Sequence, residues 1–256
     1  MNDIYDFMKE LNLKAAQELI KVYNDIPSDI PIKFPKYYNG KNKGKTRVSE
    51  QELRFAMAYL FNNNIVKLSN EDYSFSIETP TENEYSFSKN KGGSDSNNKG
   101  QGKRSAQTDM TLYEGGKPKI NIEFKANSPK QENLDKDIEK LLRENNRGAW
   151  CHILESANDR TWKRLLGKST KSGKTNQPGK FENAFNKVIK IKSKPIYFSF
   201  LVLNDNGKGA FYRKVLEYNG GAKDSVFNIK SEQDMVNNGW EKWEFNDKNE
   251  LEKVEK

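Results

Sequence analysis

Three chemically capable residues lie within the stretch TDMTLYEGGKPKINIEFKAN, residues 108–127: Asp109 near its start, and Glu123 and Lys125 near its end. Two carboxylates that converge repel each other unless a cation sits between them. Hard oxygen donors with room for water suit Mg²⁺. The backbone carbonyl of Phe124 adds a third oxygen. In an extended strand a lysine two residues past a glutamate points to the same face. There it can orient or deprotonate an attacking water and offset charge on a phosphorane-like transition state. Metal plus lysine is a hydrolytic site for phosphodiesters. Glu123-Phe124-Lys125 is the only Glu-x-Lys in the chain, and no Asp-x-Lys occurs.

These side chains need elements to position them. Pairing residues 106–113 with 119–126 as a hairpin centred on Gly116 sets Asp109 opposite Glu123, Met110 opposite Ile122 and Leu112 opposite Ile120. The apolar residues then share one face, while Gln107, Asp109 and Thr111 face Lys125, Glu123 and Asn121 on the other. Gly115 and Gly116 suit a turn that needs positive φ. Upstream, a helix is predicted over 49–62, capped by Ser49 with Glu50 and Glu52 in its first turn. A strand of alternating pattern follows at 72–79. Downstream come a helix over 132–145 and a short buried strand over 149–155. Strand 119–126 lies between helical segments, as a central strand does. Such strands are covered on both faces, so charge on one of them needs a reason.

This run of helix, three strands, helix and strand, together with Asp109 and Glu123-Phe124-Lys125, resembles the PD-(D/E)xK nuclease superfamily over about residues 48–156. The resemblance implies an α/β protein with a restriction-endonuclease-like core (αβββαβ), a central mixed sheet flanked by helices. It also implies catalytic roles for Asp109, Glu123 and Lys125, joined by a glutamate of the first helix, Glu52, with Glu50 as the alternative. Asp109, Glu123 and the Phe124 carbonyl would hold Mg²⁺, for which Mn²⁺ can substitute. Thr108 replaces the proline that often precedes the aspartate, as in many members. The implied activity is Mg²⁺-dependent endonucleolytic hydrolysis of DNA, in restriction, phage defence or repair. The alternatives are a nucleic-acid-binding protein with a non-cutting nuclease fold, or a ribonuclease using the same site. One site cuts one strand, so a double-strand cut needs a homodimer or two binding events.

The whole chain is consistent with a polyanionic partner. Of its 256 residues 31% are charged, with a formal net charge of +8. Basic residues crowd into 41–47, 89–104 and 163–194, and Lys and Arg gain counterion-release free energy on phosphate. Gln107, Lys103, Arg104, Lys136 and Lys140 are candidate substrate contacts. Residues 88–104 and 167–180 read as basic loops able to grip a backbone. GKST at 167–170 lacks the spacing of a phosphate-binding loop and follows a helix, so it is set aside. The single histidine, His152, falls in the 149–155 strand and reads as structural. The single cysteine excludes an internal disulfide. No apolar run approaches a membrane span, and the acidic, amphipathic start is not a secretory signal. The expected location is cytoplasmic. The expected organisation is an N-terminal helical extension and loop (1–47), the nuclease-like domain (48–216) and a loosely packed C-terminal tail (217–256).

Overall fold

The computed structural model describes residues 4–63, 72–85, 104–169, 177–188, 194–205, 208–218, 227 and 229–255. The expected basic loops fall largely outside these ranges, as does Lys103, and nothing is described of the Arg104 side chain.

In chain order the helices are α1 (Ile4–Tyr23), α2 (Glu50–Asn62), α3 (Gln131–Arg143), α4 (Asp159–Leu165), α5 (Lys180–Lys187) and α6 (Glu232–Asn237). The strands are β1 (Tyr73–Tyr85), β2 (Arg104–Glu114), β3 (Lys117–Ala126), β4 (Arg147–Leu154), β5 (Lys168–Ser169), β6 (Gln177–Pro178), β7 (Lys194–Asp205), β8 (Lys208–Tyr218), β9 (Glu241–Phe245) and β10 (Leu251–Lys253). Eight of them form one open mixed sheet in the order β1-β2-β3-β4-β7-β8-β9-β10, with β5 and β6 as a separate ribbon. β3 and β4 are parallel, as are β4 and β7; the other pairs are antiparallel.

Helices cover both faces. Met8, Leu11, Ala15 and Leu19 of α1 and Leu53, Met57 and Leu60 of α2 pack on Met110, Ile122, Phe124 and Cys151. Leu134, Ile138 and Leu141 of α3, with Trp162 of α4 and Phe181 of α5, pack on Trp150, Phe198 and Phe200. The period-two rule sorts these strands cleanly, because a central strand that buries both faces must alternate between two cores.

Two expectations need correction. Residues 4–47 are no appendage, since the buried stripe of α1 is part of the first core. Nor are the described residues of 217–256 a loose tail. β9 pairs with β8 and extends the sheet, α6 contributes Met235 to the second core, and Trp240 is fully buried there. The alternation in EKWEF buries Trp243 and Phe245, which suffices for a strand beside an existing edge.

Candidate functional site

β2 and β3 meet at a Gly115-Gly116 turn in which both glycines have positive φ, +57° and +72°. Met110, Thr111 and Leu112 lie opposite Ile122, Asn121 and Ile120, the register expected from sequence. A bulge nearer the turn then shifts Tyr113 onto Pro118. In the other direction the ladder stops at Met110 and Ile122. One residue further, Asp109 takes the place of a ladder carbonyl: its Oδ2 accepts the Phe124 N–H at 2.8 Å. The strands separate where the acids sit, so Asp109 reaches β3 through its side chain.

Glu123 is 0% exposed, and α3 closes over it. Asp137 and Lys140, three residues apart on α3, face β3. Lys140 Nζ lies 2.6 Å from Glu123 Oε1 and 2.9 Å from Asp137 Oδ1, and it donates to the Gln107 carbonyl at 2.7 Å. Lys125 Nζ lies 2.8 Å from Asp137 Oδ2 and donates to the Phe124 carbonyl at 2.9 Å. Asp109 Oδ2 and Glu123 Oε2 are 3.9 and 4.0 Å from the same ammonium. Lys125 therefore stands between the two acids, and Asp137 bridges the two lysines.

Three carboxylates against two ammonium groups leave a negative balance when all are ionised. Burial drives the carboxyl of Glu123 well above the usual carboxylate range, and the neighbouring Asp137 charge adds to this; Lys140 and Lys125 only partly offset it. Burial lowers Lys125, but Asp137, Glu123 and Asp109 outweigh it and hold the amine above its ordinary value. Lys140 is likewise raised, by Glu123 and Asp137 against the effect of burial. Both lysines are thus ammonium groups at neutral pH.

The donor chemistry fits a divalent cation in one respect. Neither Glu123 oxygen has a well-aligned hydrogen-bond donor among the described residues, despite the close Lys140 ion pair. A buried carboxylate in that condition favours a cation. In another respect the set is incomplete: among the described residues no three His, Cys, Asp or Glu side chains are arranged around a common metal position. Lysine contacts occupy the Phe124 carbonyl and one side of Glu123. Asp109, Glu123 and the Phe124 carbonyl would hold Mg²⁺ only if these ammonium groups moved aside.

The remaining candidates are distributed as follows. Glu52 does not join the cluster. Its helix packs on the opposite face of the sheet, and Oε2 accepts from Ser49 N at 2.8 Å and Ser49 Oγ at 2.7 Å, a capping box. The alternative, Glu50, is half-buried at the start of the same helix. Gln107, Lys136 and Lys140 do line a cleft of about 550 Å³ with Asp109, Asp137 and Glu78. Lys140, however, is buried in the ion-pair network. Glu78, at φ +53°, is a non-glycine residue in the left-handed region on the cleft wall, and its carboxylate lies 3.8 Å from Arg54. A cavity of similar size, about 580 Å³, near Tyr23 and Phe34 has no pair of acids in its lining.

His152 is structural. Nε2 donates to the Asn127 carbonyl at 2.7 Å, and Nδ1 accepts from Trp150 Nε1 at 3.5 Å, which fixes the tautomer. Asp137 was missed from sequence. Its only signal was the Asp-x-x-Lys spacing one helix after Glu123-Phe124-Lys125, and such pairs usually coat a solvated helix face. Comparison with protein-family models, curated proteins and solved structures finds no match for this chain.

Proposed function

We propose that the chain is a Mg²⁺-dependent endonuclease of the PD-(D/E)xK type acting on DNA. The observation that carries this reading is the separation of β2 from β3 beyond Met110 and Ile122. There Asp109, which lines the cleft, and the buried Glu123 approach the Lys125 ammonium to 3.9 and 4.0 Å. The order α2-β1-β2-β3-α3-β4, with β4 parallel to β3, also supports it, being the order of that core.

Asp109, Glu123 and the Phe124 carbonyl would hold the metal. Bound there, it supplies Lewis-acid polarisation of the phosphodiester and a lowered pKa for the attacking water. Lys125, an ammonium group, donates hydrogen bonds to the phosphate and stabilises charge developing on it. Of the two roles expected for it, orienting the water fits this state and removing its proton does not. Asp137 aims Lys125, and Lys140 balances the charge of Glu123. The basic surface holds the phosphate backbone, and a double-strand cut takes a homodimer or two binding events.

The test is cleavage of supercoiled plasmid and of RNA with Mg²⁺ or EDTA, comparing wild type with Lys125→Ala. Plasmid nicking should require Mg²⁺ and fall on the order of 10²-fold in the variant. Equal cleavage by both proteins would remove Lys125 from the chemistry, and cleavage of RNA alone would make the enzyme a ribonuclease. A second reading has its own support, the lysine contacts on both Glu123 and Phe124. It is a nucleic-acid-binding protein that does not cut, for which the same assay gives salt-sensitive binding without cleavage.

A further inference from the structure

Between Asp29 and Glu50 the chain carries Lys33, Lys36, Lys41, Lys43, Lys45 and Arg47 and no acid. Residues 35–47 fold back as an ordered hairpin. Lys36 bridges to Thr46, Arg47 N donates to the Pro35 carbonyl at 2.7 Å, and Tyr37 N donates to the Lys45 carbonyl at 2.9 Å. Gly44 N returns to the Tyr37 carbonyl at 2.8 Å, so Gly44 and Lys45 together oppose Tyr37. That is a bulge, and Gly44 sits in it at φ +80°. Period two then puts Tyr37, Lys45 and Arg47 on one side, where Arg47 lies 4.0 Å from Glu52, and Lys36 and Tyr38 on the other. Tyr38, near the tip, is 83% exposed, and Tyr37 is 40% exposed.

We propose that this hairpin is a nucleic-acid contact that stacks an unpaired base on Tyr38 and holds the adjoining phosphates with Lys36 and Lys43. An exposed aromatic ring set among lysines, in a stretch of chain with no acid between Asp29 and Glu50, combines the two recognition elements of single strands, a stacking platform and a phosphate track. The base must be unpaired because a duplex hides base faces except at its ends. The root of the hairpin is tied to the chain just past the end of β3, the strand that carries Glu123 and Lys125. Asn127 Nδ2 donates to the Val48 carbonyl at 3.3 Å. Asn127 follows the end of β3, two residues past Lys125, so their Cα atoms are at most about 7 Å apart. The inference rests on the nucleic-acid reading above and adds a preferred substrate: DNA with a single-stranded segment beside the scissile bond.

The test is fluorescence anisotropy of a labelled mixed-sequence single strand, and of the blunt duplex made from it, in EDTA. Tyr38→Ala should weaken single-strand binding about tenfold and change duplex binding less than about twofold. Tyr38→Phe, which keeps the ring, should bind like wild type. Lys36→Ala and Lys43→Ala should each reduce the slope of log K against log salt by about 0.7. Wild-type single-strand affinity in Tyr38→Ala, or equal losses on single strand and duplex, would overturn the proposal. Tighter binding of the wild type to phosphatidylserine vesicles than to either oligonucleotide would also overturn it. Tyr38-dependent binding without Mg²⁺-dependent cleavage leaves the hairpin assignment and removes the nuclease reading. Cleavage with unaltered binding by Tyr38→Ala does the reverse.

Discussion

At the scale of single residues, Asp137 is the side chain on which both lysines converge. Its two oxygens are 2.8 and 2.9 Å from Lys125 and Lys140. Groups that orient a metal site's direct participants typically contribute 10- to 100-fold to affinity or activity. Under the proposed nuclease function, Asp137→Asn should therefore lower kcat by about 10- to 100-fold while KM changes little, measured as steady-state nicking. An unchanged kcat would reduce Asp137 to a packing residue. His152 gives a test independent of chemistry. Burial pushes its imidazole down to about 3, helped by the charge of Lys125 and opposed by the Asn127 hydrogen bond. An unfolded imidazole takes up a proton below about 6.5, and the folded one does not until about 3. His152 thus costs stability progressively as pH falls through that window. Glu123, raised in the fold, acts with the opposite sign. The comparison with His152→Gln isolates the imidazole: between pH 7 and 5 the wild type should lose about 2 kcal/mol relative to the variant in urea unfolding. Parallel pH profiles would mean that the ring is solvated.

At the scale of elements, Glu144, just past the end of α3, fastens the far part of β1. It accepts from Glu82 N at 2.9 Å, Asn83 N at 3.2 Å and Tyr85 Oη at 2.8 Å. These bonds hold the arm whose Pro80, with Ser105 and Gln107 of β2, walls the cleft. Glu144→Gln replaces one acceptor oxygen by a donor facing donors. It should cost about 1–3 kcal/mol and speed amide hydrogen exchange at Glu82 and Asn83 more than in β4. Uniform exchange would mean that the arm is held by its ladder alone. The elements from α2 to β4 were legible because each carries one clear period, and the β2–β3 register followed from putting apolar residues on one face. The site was only partly legible. Asp109, Glu123 and Lys125 share a strand face, which period two reveals. Asp137 needed the packing of α3. Glu52 misled because a capping-box glutamate and a site glutamate look the same in the first turn of a helix.

At the scale of the whole molecule, the fold is one continuous sheet with a core on each side. Among the described residues no helix is long and apolar enough to cross a membrane. The C-terminal segment was illegible because its apolar residues are few and separated by charge. Its burial depends on the edge of β8 and on both cores, all made by distant sequence. Trp240 measures how firmly that segment belongs. Its ring lies 5.5 Å from that of Phe200 and is fully buried, yet Nε1 meets no acceptor among the described residues. Trp240→Ala removes the apolar ring and leaves a cavity, so it should cost about 3–5 kcal/mol in urea unfolding. Trp240→Phe keeps much of the ring and deletes the unsatisfied donor, so the two effects oppose and the loss should stay under about half of that. A single cooperative transition in both variants would place α6 and β9 in the same folding unit as the candidate site. A loss below about 1 kcal/mol in Trp240→Ala would instead mean that the segment rests on the surface and the sheet ends at β8.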